Sequence, residues 1–167
     1  MTNNRSNLVK DTIEKFSTSP NNTRKIGKVI GAESCPGDLV LLYGELGSGK
    51  TCLTQGILWG MGSDEYARSP TFVMISEYKT SIPLYHMDFY RLDVDQNTTE
   101  IGIEEYIDDY GVCVIEWPEK IPYLANRDHL EVKIKVSSET DRMISLSGIG
   151  ERYNKIIQTL KEILKEK

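Results

Sequence analysis

Short apolar runs alternate along this chain with segments in which apolar residues recur every three or four positions. The short runs are typical of strands, and the recurrent segments place their apolar residues on one face of a helix. We predict strands at residues 39–43, 72–78, 84–90, 111–116, 129–136 and 141–147. We predict helices at residues 20–32, 50–59 and about 100–110, and a terminal helix from residue 151.

These elements predict an α/β fold in which a mixed central sheet is flanked by helices. With 167 residues and 39% hydrophobic content, the chain can bury one substantial core, so we expect a single domain over residues 1–167. The N-terminus is polar, and we expect residues 1–16 to be loosely ordered. Apolar and polar residues alternate in residues 129–136, which predicts a strand with one face in water. The terminal helix has one apolar side, which predicts packing onto the sheet.

The charge balance argues against a protein that grips RNA or DNA alone. The chain has 20 Lys and Arg residues against 25 Asp and Glu residues, a net charge of −5, and nucleic-acid binding normally needs a basic surface. If nucleic acid is involved, we expect a partner to hold it. The spacing of the cysteines and the presence of only two histidines indicate neither a zinc site nor a disulfide framework. Lacking an apolar stretch of membrane-spanning length and a signal-peptide core, the chain is expected to be cytoplasmic.

Residues 44–51 carry the most specific chemical signal, because they read G-E-L-G-S-G-K-T and fit the pattern G-x-x-x-x-G-K-[ST]. They lie between a predicted strand and a predicted helix, the context in which this pattern binds nucleotide phosphates. Glycines let the backbone N–H groups point inward at phosphate oxygens, beside the positive end of the helix dipole. Lys50 would reach the β- and γ-phosphates, and Thr51 would ligate Mg²⁺. The predicted phosphate-binding residues are Gly44, Glu45, Leu46, Gly47, Ser48, Gly49, Lys50 and Thr51.

Two acids at the ends of predicted strands compete for the place beside the metal. Glu116 closes an apolar strand in the manner typical of a Walker-B carboxylate. Asp88 closes another apolar run and could orient Thr71 or a metal-bound water. Either acid could instead cap backbone groups or pair with Arg91.

Other residues near these strand ends are weaker candidates. Thr71 lies in a Ser-Pro-Thr-Phe segment and offers a hydroxyl to a metal or a γ-phosphate. Trp117 offers a large rigid surface to a base or a partner, or packs at the rim of the core. We expect His86 to be a satisfied hydrogen-bonding group rather than a catalyst.

In several blocks the chain resembles the TsaE family, also called YjeE, the bacterial ATPases of tRNA threonylcarbamoyladenosine synthesis. The blocks follow the family order between about residues 17 and 118, and the match fades after Pro118. They are residues 18–20 with Thr23, the loop 44–51, Ser-Pro-Thr-Phe at 69–72, the Tyr-His-x-Asp region at 84–92 and Ile-Glu-Trp-Pro at 115–118. The chain has Ser48 and Cys52 where relatives usually have Ala and Thr, and Glu45 where they usually have Asp.

The resemblance implies roles for individual residues. Lys50 and the loop amides would bind ATP phosphates, and Thr51 and Glu116 would hold Mg²⁺. Asp88 and Thr71 would support hydrolysis. The remaining residues implied at the nucleotide are Ser19 or Thr23, Cys52 and Arg142, and Trp117 would lie near the nucleotide or the partner surface.

The resemblance also implies a task and partners. The family supports TsaB and TsaD, which transfer a threonylcarbamoyl group to the adenosine beside the anticodon of tRNAs reading codons that begin with A. ATP hydrolysis would reset that complex between turnovers, and the tRNA would reach this chain only through its partners.

Three alternatives use the same phosphate loop. A small-molecule P-loop kinase would need an acceptor pocket and usually an arginine-rich lid, and the arginines here are scattered. A GTPase switch would carry an Asn-Lys-x-Asp run, which the sequence lacks. A binding module that holds nucleotide without hydrolysing it stays open, because hydrolysis depends on how a water molecule is placed.

Overall fold

The computed structural model describes residues 11–70, 74–92 and 102–165. The strands are β1 (Asp11–Ser17), β2 (Leu39–Tyr43), β3 (Ile75–Tyr78), β4 (Leu84–Asp88), β5 (Val112–Glu116), β6 (His129–Val136) and β7 (Arg142–Ile149). The helices are α1 (Pro20–Ala32), α2 (Lys50–Gly60), α3 (Ile103–Ile107) and α4 (Glu151–Ile163), and short 3-10 helices span Pro118–Lys120 and Pro122–Asn126. Each predicted strand and helix has a counterpart, and within the described residues the ends differ by a few positions. Residues 72–73 of one predicted strand and 100–101 of one predicted helix lie outside the described residues. Neither β1 nor the 3-10 helices were predicted.

The strands in the described part of the chain form one seven-stranded sheet in the order β1-β7-β6-β2-β5-β4-β3. The central strands β6, β2, β5 and β4 are parallel to one another. The outer strands β1, β7 and β3 pair antiparallel to their neighbours. The predicted mixed sheet is therefore confirmed. Because parallel strands end at the same edge, the segments that follow β2, β4 and β5 emerge side by side.

Helices cover both faces of the parallel part of the sheet. On one face Leu53 of α2 and Ile157 of α4 belong to the same buried cluster as Leu42 of β2. On the other face Ile103 of α3 belongs to a second cluster with Leu41 of β2. A strand covered on both faces is apolar throughout, as β2 is. Within residues 11–70, 74–92 and 102–165, no helix is long and apolar enough to cross a membrane.

The patterns in the C-terminal part largely match the structure. Along β6 the apolar residues at 130, 132 and 134 are buried, whereas Lys133 is exposed, so one face of this strand is in water. The apolar side of α4 is buried through Leu160, but Ile163 is 53% exposed. The terminal helix therefore packs onto the sheet as predicted, except in its last turn.

Helices α1 and α2 approach so closely that their backbones touch. An ideal Cβ built on Gly31 of α1 would lie 2.0 Å from the carbonyl oxygen of Ile57, and one built on Gly60 of α2 would lie 2.2 Å from that of Lys28. Gly27 and Gly56 meet the opposite helix in the same way. Side chains larger than hydrogen would force the helices apart. The contact fixes the start of α1 relative to α2, and α2 begins at the glycine-rich loop.

The expectation that residues 1–16 are loosely ordered is wrong for residues 11–16. These residues belong to β1, which pairs antiparallel with β7 from Asp11 opposite Gly148 to Ser17 opposite Arg142. The strand escaped prediction because it is an edge strand with one buried apolar side chain, Ile13, and an exposed Phe16. Its position depends on backbone hydrogen bonds to β7 more than on an apolar pattern.

Candidate functional site

The glycine-rich loop connects the end of β2 to the start of α2, as its sequence context predicted. Gly49 is the N-cap residue of α2 and has φ 111°, a left-handed conformation that favours glycine. A Cβ on Gly44 would lie 2.6 Å from Ser48 Oγ and 2.7 Å from the carbonyl oxygen of Ile134. The loop therefore turns tightly onto itself and against β6. The N-terminus of α2 faces the same space, which suits an anion.

The ammonium group of Lys50 lies folded over the loop. Its Nζ donates to the carbonyl oxygens of Gly44, at 2.7 Å, and Glu45, at 3.0 Å. It also lies 4.2 Å from the centre of the Trp117 ring, a cation–π distance. Burial lowers the pKa of Lys50, although the negative charges of Glu116 and Asp88 oppose that effect.

Glu116 is the acid that meets the loop. The Thr51 hydroxyl donates to Glu116 Oε1 at 2.9 Å. His86, on the neighbouring strand, lies 2.8 Å from the same oxygen through its Nε2. The expectation that His86 is a satisfied hydrogen-bonding group therefore holds for Nε2 but not for the buried Nδ1, which has no hydrogen-bond partner among the described residues. Both partners of Glu116 fall on one oxygen, at the end of a fully buried strand.

Asp88 lies beside Glu116, at the same level of the adjacent parallel strand. Its carboxylate accepts a hydrogen bond from the Ser69 hydroxyl and another, at 3.0 Å, from the backbone N–H of Tyr90. Asp88 therefore caps a backbone group, which was one of the alternatives for the acids, and it also holds the segment before residue 71. The sequence did not indicate the contact with Ser69, because hydroxyl residues carry no spacing signal.

Trp117 closes one side of the site with a strained backbone. Its φ of 59° and ψ of 46° are left-handed, which is uncommon for a bulky residue and typical of functional sites. Its ring packs 4.9 Å from the Tyr90 ring, centre to centre. With this backbone conformation directly after the end of β5, the indole ring lies over the ammonium group of Lys50.

A pocket of about 440 Å³ is formed by these groups. Its lining includes Leu46, Gly47 and residues 49–52 of the loop and the acids Asp88 and Glu116, together with Met74, Tyr90 and Trp117. Thr71 and Phe72, which the sequence placed near this site, lie outside the described residues.

A second pocket, of about 510 Å³, adjoins the first at the loop. It is lined by Ser19, Thr23, Cys52 and Arg142 together with Arg24, so four of the weaker sequence candidates come together here. Ser19 caps α1 by accepting from the N–H of Asn22 at 3.2 Å. Gly47, Gly49 and Cys52 line both pockets, so the two spaces adjoin at the loop.

Arg142 supports the loop from behind. Its Nε donates to the carbonyl oxygen of Ser48 at 2.9 Å. Its Nη1 donates to carbonyl oxygens of the β6–β7 turn, including that of Ser138 at 3.0 Å. The contact joins β7 to the loop across the sheet, a role that the sequence alone did not indicate.

The residues present fit a nucleotide with a divalent cation. The loop presents open backbone at Gly47, where an added Cβ would meet no atom within 4 Å, and the helix N-terminus behind it suits phosphate. Thr51 and Glu116 supply a hydroxyl and a carboxylate, the hard oxygen ligands that Mg²⁺ prefers.

Comparison with known proteins agrees with this geometry. The family model described as "Threonylcarbamoyl adenosine biosynthesis protein TsaE" matches residues 17–144. The tRNA threonylcarbamoyladenosine biosynthesis protein TsaE of Bacillus subtilis is 36% identical over 143 residues, which are 85% of this chain and 89% of that protein. The protein of the same name from Treponema pallidum is 35% identical over 131 residues, 78% of this chain and 97% of that one.

A solved structure is also similar. The crystal structure of YdiB from Bacillus subtilis superposes with a TM-score of 0.81 at 31% identity, covering 94% of this chain and 99% of that one. A parallel sheet core with a glycine-rich loop between β2 and α2 defines a P-loop NTPase fold. Within that class, the family match and the relatives are decisive: the chain belongs to the TsaE family of tRNA threonylcarbamoyladenosine biosynthesis.

Proposed function

We propose that this chain is a Mg²⁺-dependent ATPase that supports homologues of TsaB and TsaD in forming threonylcarbamoyladenosine on tRNA. Membership of the TsaE family supports the pathway. One contact carries the ATPase part of the proposal. The Thr51 hydroxyl and the Glu116 carboxylate lie 2.9 Å apart, so the first turn of the helix that follows the phosphate loop is in contact with the acid that ends β5.

In this proposal the loop amides and Lys50 hold the phosphates of ATP, and Thr51 with Glu116 holds Mg²⁺. The metal ion supplies charge neutralisation at the phosphates when it is bound. Asp88 and Thr71 support hydrolysis as positioning groups. Asp88 is suited to this because it already orders the Ser69 hydroxyl and the backbone of Tyr90.

Lys50 exchanges partners when phosphate arrives. It gives up contacts with the carbonyl oxygens of Gly44 and Glu45 and with the Trp117 ring. Hydrogen bonds from an ammonium group to phosphate are charge-assisted and stronger than bonds to neutral carbonyl oxygens, so the exchange favours binding. The nucleoside would occupy the second pocket, which Ser19, Cys52 and Arg142 line.

The partners handle the tRNA. A net charge of −5 makes direct capture of a polyanion by this chain unfavourable, which fits indirect contact through the complex. The chain then acts as a nucleotide-driven component that returns its partners to the starting state between turnovers.

The test is multi-turnover formation of threonylcarbamoyladenosine by the TsaB–TsaD pair, with this chain, with its Lys50→Ala variant or with no addition. We expect only the intact chain to sustain turnover, because Lys50 is required at the phosphates. Equal rates in all three reactions would refute the proposal, and a small-molecule P-loop kinase would be the next function to test.

A further inference from the structure

A buried histidine lies beneath the carboxylate of Glu116. His86 is 0% exposed and its Nε2 lies 2.8 Å from Glu116 Oε1, while the Glu116 side chain is 4% exposed. A polar pair in this environment is worth more than the same pair in water, since the alternative for each partner is an unsatisfied buried group. The pair lies at the edge of the sheet where the phosphate loop begins.

The chemistry of the contact requires a hydrogen on Nε2 of His86. A carboxylate oxygen accepts, so the ring nitrogen that faces it donates. Among the described residues, the buried Nδ1 has no hydrogen-bond partner. Within the described part of the chain, the hydrogen bond of the imidazole ring is therefore the one to Glu116.

The strand register explains why His86 reaches this oxygen. β4 and β5 are parallel, with His86 opposite Val114 and Asp88 opposite Glu116. Because side chains two residues apart on a strand share a face, His86, Asp88 and Glu116 lie on one face of the sheet. Thr51 approaches Oε1 from α2, and His86 approaches it from β4. The carboxylate is held from two directions.

We infer that His86 is a positioning residue for the divalent-cation site, holding the Glu116 carboxylate in the orientation that the cation requires. This inference rests on the proposed function. Groups hydrogen-bonded to metal-binding carboxylates tune affinity, and their loss typically costs about 10–100-fold in metal affinity or activity. If Thr51 were the only partner of Glu116, the carboxylate could still turn about the hydrogen bond that it accepts from the Thr51 hydroxyl.

The experiment measures binding of the fluorescent analogue mant-ATP at increasing MgCl₂, and separately in EDTA. His86→Leu removes the donor, and His86→Gln keeps an N–H at the end of the side chain. We expect His86→Leu to raise the half-saturating Mg²⁺ concentration by about 10–100-fold and to leave the dissociation constant in EDTA unchanged. His86→Gln should return the Mg²⁺ requirement close to that of the wild type.

The matched control is His129→Leu. His129 is also buried, 2% exposed, but it begins β6, at the end of the sheet away from the loop. It should leave the Mg²⁺ requirement unchanged. An unchanged Mg²⁺ requirement in His86→Leu, or equal weakening with and without Mg²⁺, overturns the inference. If wild-type protein fails to bind mant-ATP at all, the proposed function itself is refuted.

A measurement on the wild type keeps the inference testable if His86→Leu does not fold. Nitrogen-15 spectra of the histidine rings report which nitrogen carries the hydrogen. We expect His86 to be protonated at Nε2 both before and after addition of ATP and MgCl₂. A ring protonated only at Nδ1 in either state would overturn the inference, because it could not donate to Glu116.

Discussion

The backbone contact between α1 and α2 makes Gly31→Ala a sharp test of the packing. A methyl group there would lie 2.0 Å from the carbonyl oxygen of Ile57, 2.8 Å from its carbonyl carbon and 3.0 Å from Cα of Gly60. Restoring an ordinary separation of roughly 3.5 Å requires the helices to part by about 1.5 Å. The partner atoms are backbone, so no side-chain rotation relieves the clash.

Two effects of opposite sign then decide the stability. Alanine is favoured over glycine inside a helix by about 1 kcal/mol. Overpacking costs about 1–3 kcal/mol, and parting the helices adds the cost of gaps around buried residues such as Leu53. We expect the clash to win, with a net loss of about 1–3 kcal/mol and a fall in Tm of about 2–4 °C per kcal/mol.

The assay is reversible urea unfolding at 25 °C, followed by far-UV circular dichroism. Lys25→Ala is the control, because Lys25 is exposed on the same helix and surface changes of this kind stay within about 0.5 kcal/mol. A Gly31→Ala variant as stable as the wild type, or more stable, would refute the close backbone contact and show that helix propensity decides at this position.

Three further predictions concern the site and the core. Glu116→Gln should keep binding of mant-ATP in EDTA but lower partner-stimulated ATP turnover by about 100-fold or more, and unchanged phosphate release would contradict the assignment of Glu116. Lys50→Met should change the tryptophan emission of nucleotide-free protein, since the ammonium group lies 4.2 Å from the Trp117 ring centre; identical spectra would exclude that contact. Burial raises the pKa of Cys113 from 9.0 to about 12, so the unfolded chain releases this proton first and the stability present below pH 9 declines as pH rises towards 12. We expect the free energy of urea unfolding to fall between pH 8 and 10 in the control Cys35→Ala, whose altered site is exposed. In Cys113→Ala the fall should be smaller by about 1 kcal/mol at pH 10. Parallel curves would count against the raised pKa of Cys113.

Local patterns were sufficient for most of the fold. The apolar run at 39–43 and the Ser19-Pro20 helix start are each recognisable from neighbouring residues, and the structure has β2 and α1 at those positions. β1 was missed because an edge strand with one buried apolar residue carries little pattern. The glycines of α1 and α2 are unfavourable for an isolated helix, and their spacing did not indicate that the two helices contact each other through them.

The candidate site likewise has a part that the sequence predicted and a part that it did not. The phosphate loop was recognisable because its residues are consecutive, and a glycine-rich turn before a helix has one well-defined physical use. The competition between Asp88 and Glu116 could not be decided from sequence, since both acids end apolar strands. The structure places Glu116 against Thr51 and Asp88 against Ser69.

The sequence by itself determined what is local: the loop and its glycines, the lysine and threonine at the start of a helix, and the acids at strand ends. Its family blocks further indicated the TsaE family. Only the tertiary structure decided which distant groups meet. Strand order and register bring His86 from β4 to Glu116 on β5, Arg142 from β7 to the loop, and Trp117 over Lys50. Such contacts depend on the alignment of separate strands, and residue spacing along a chain does not encode that alignment where the apolar runs are alike.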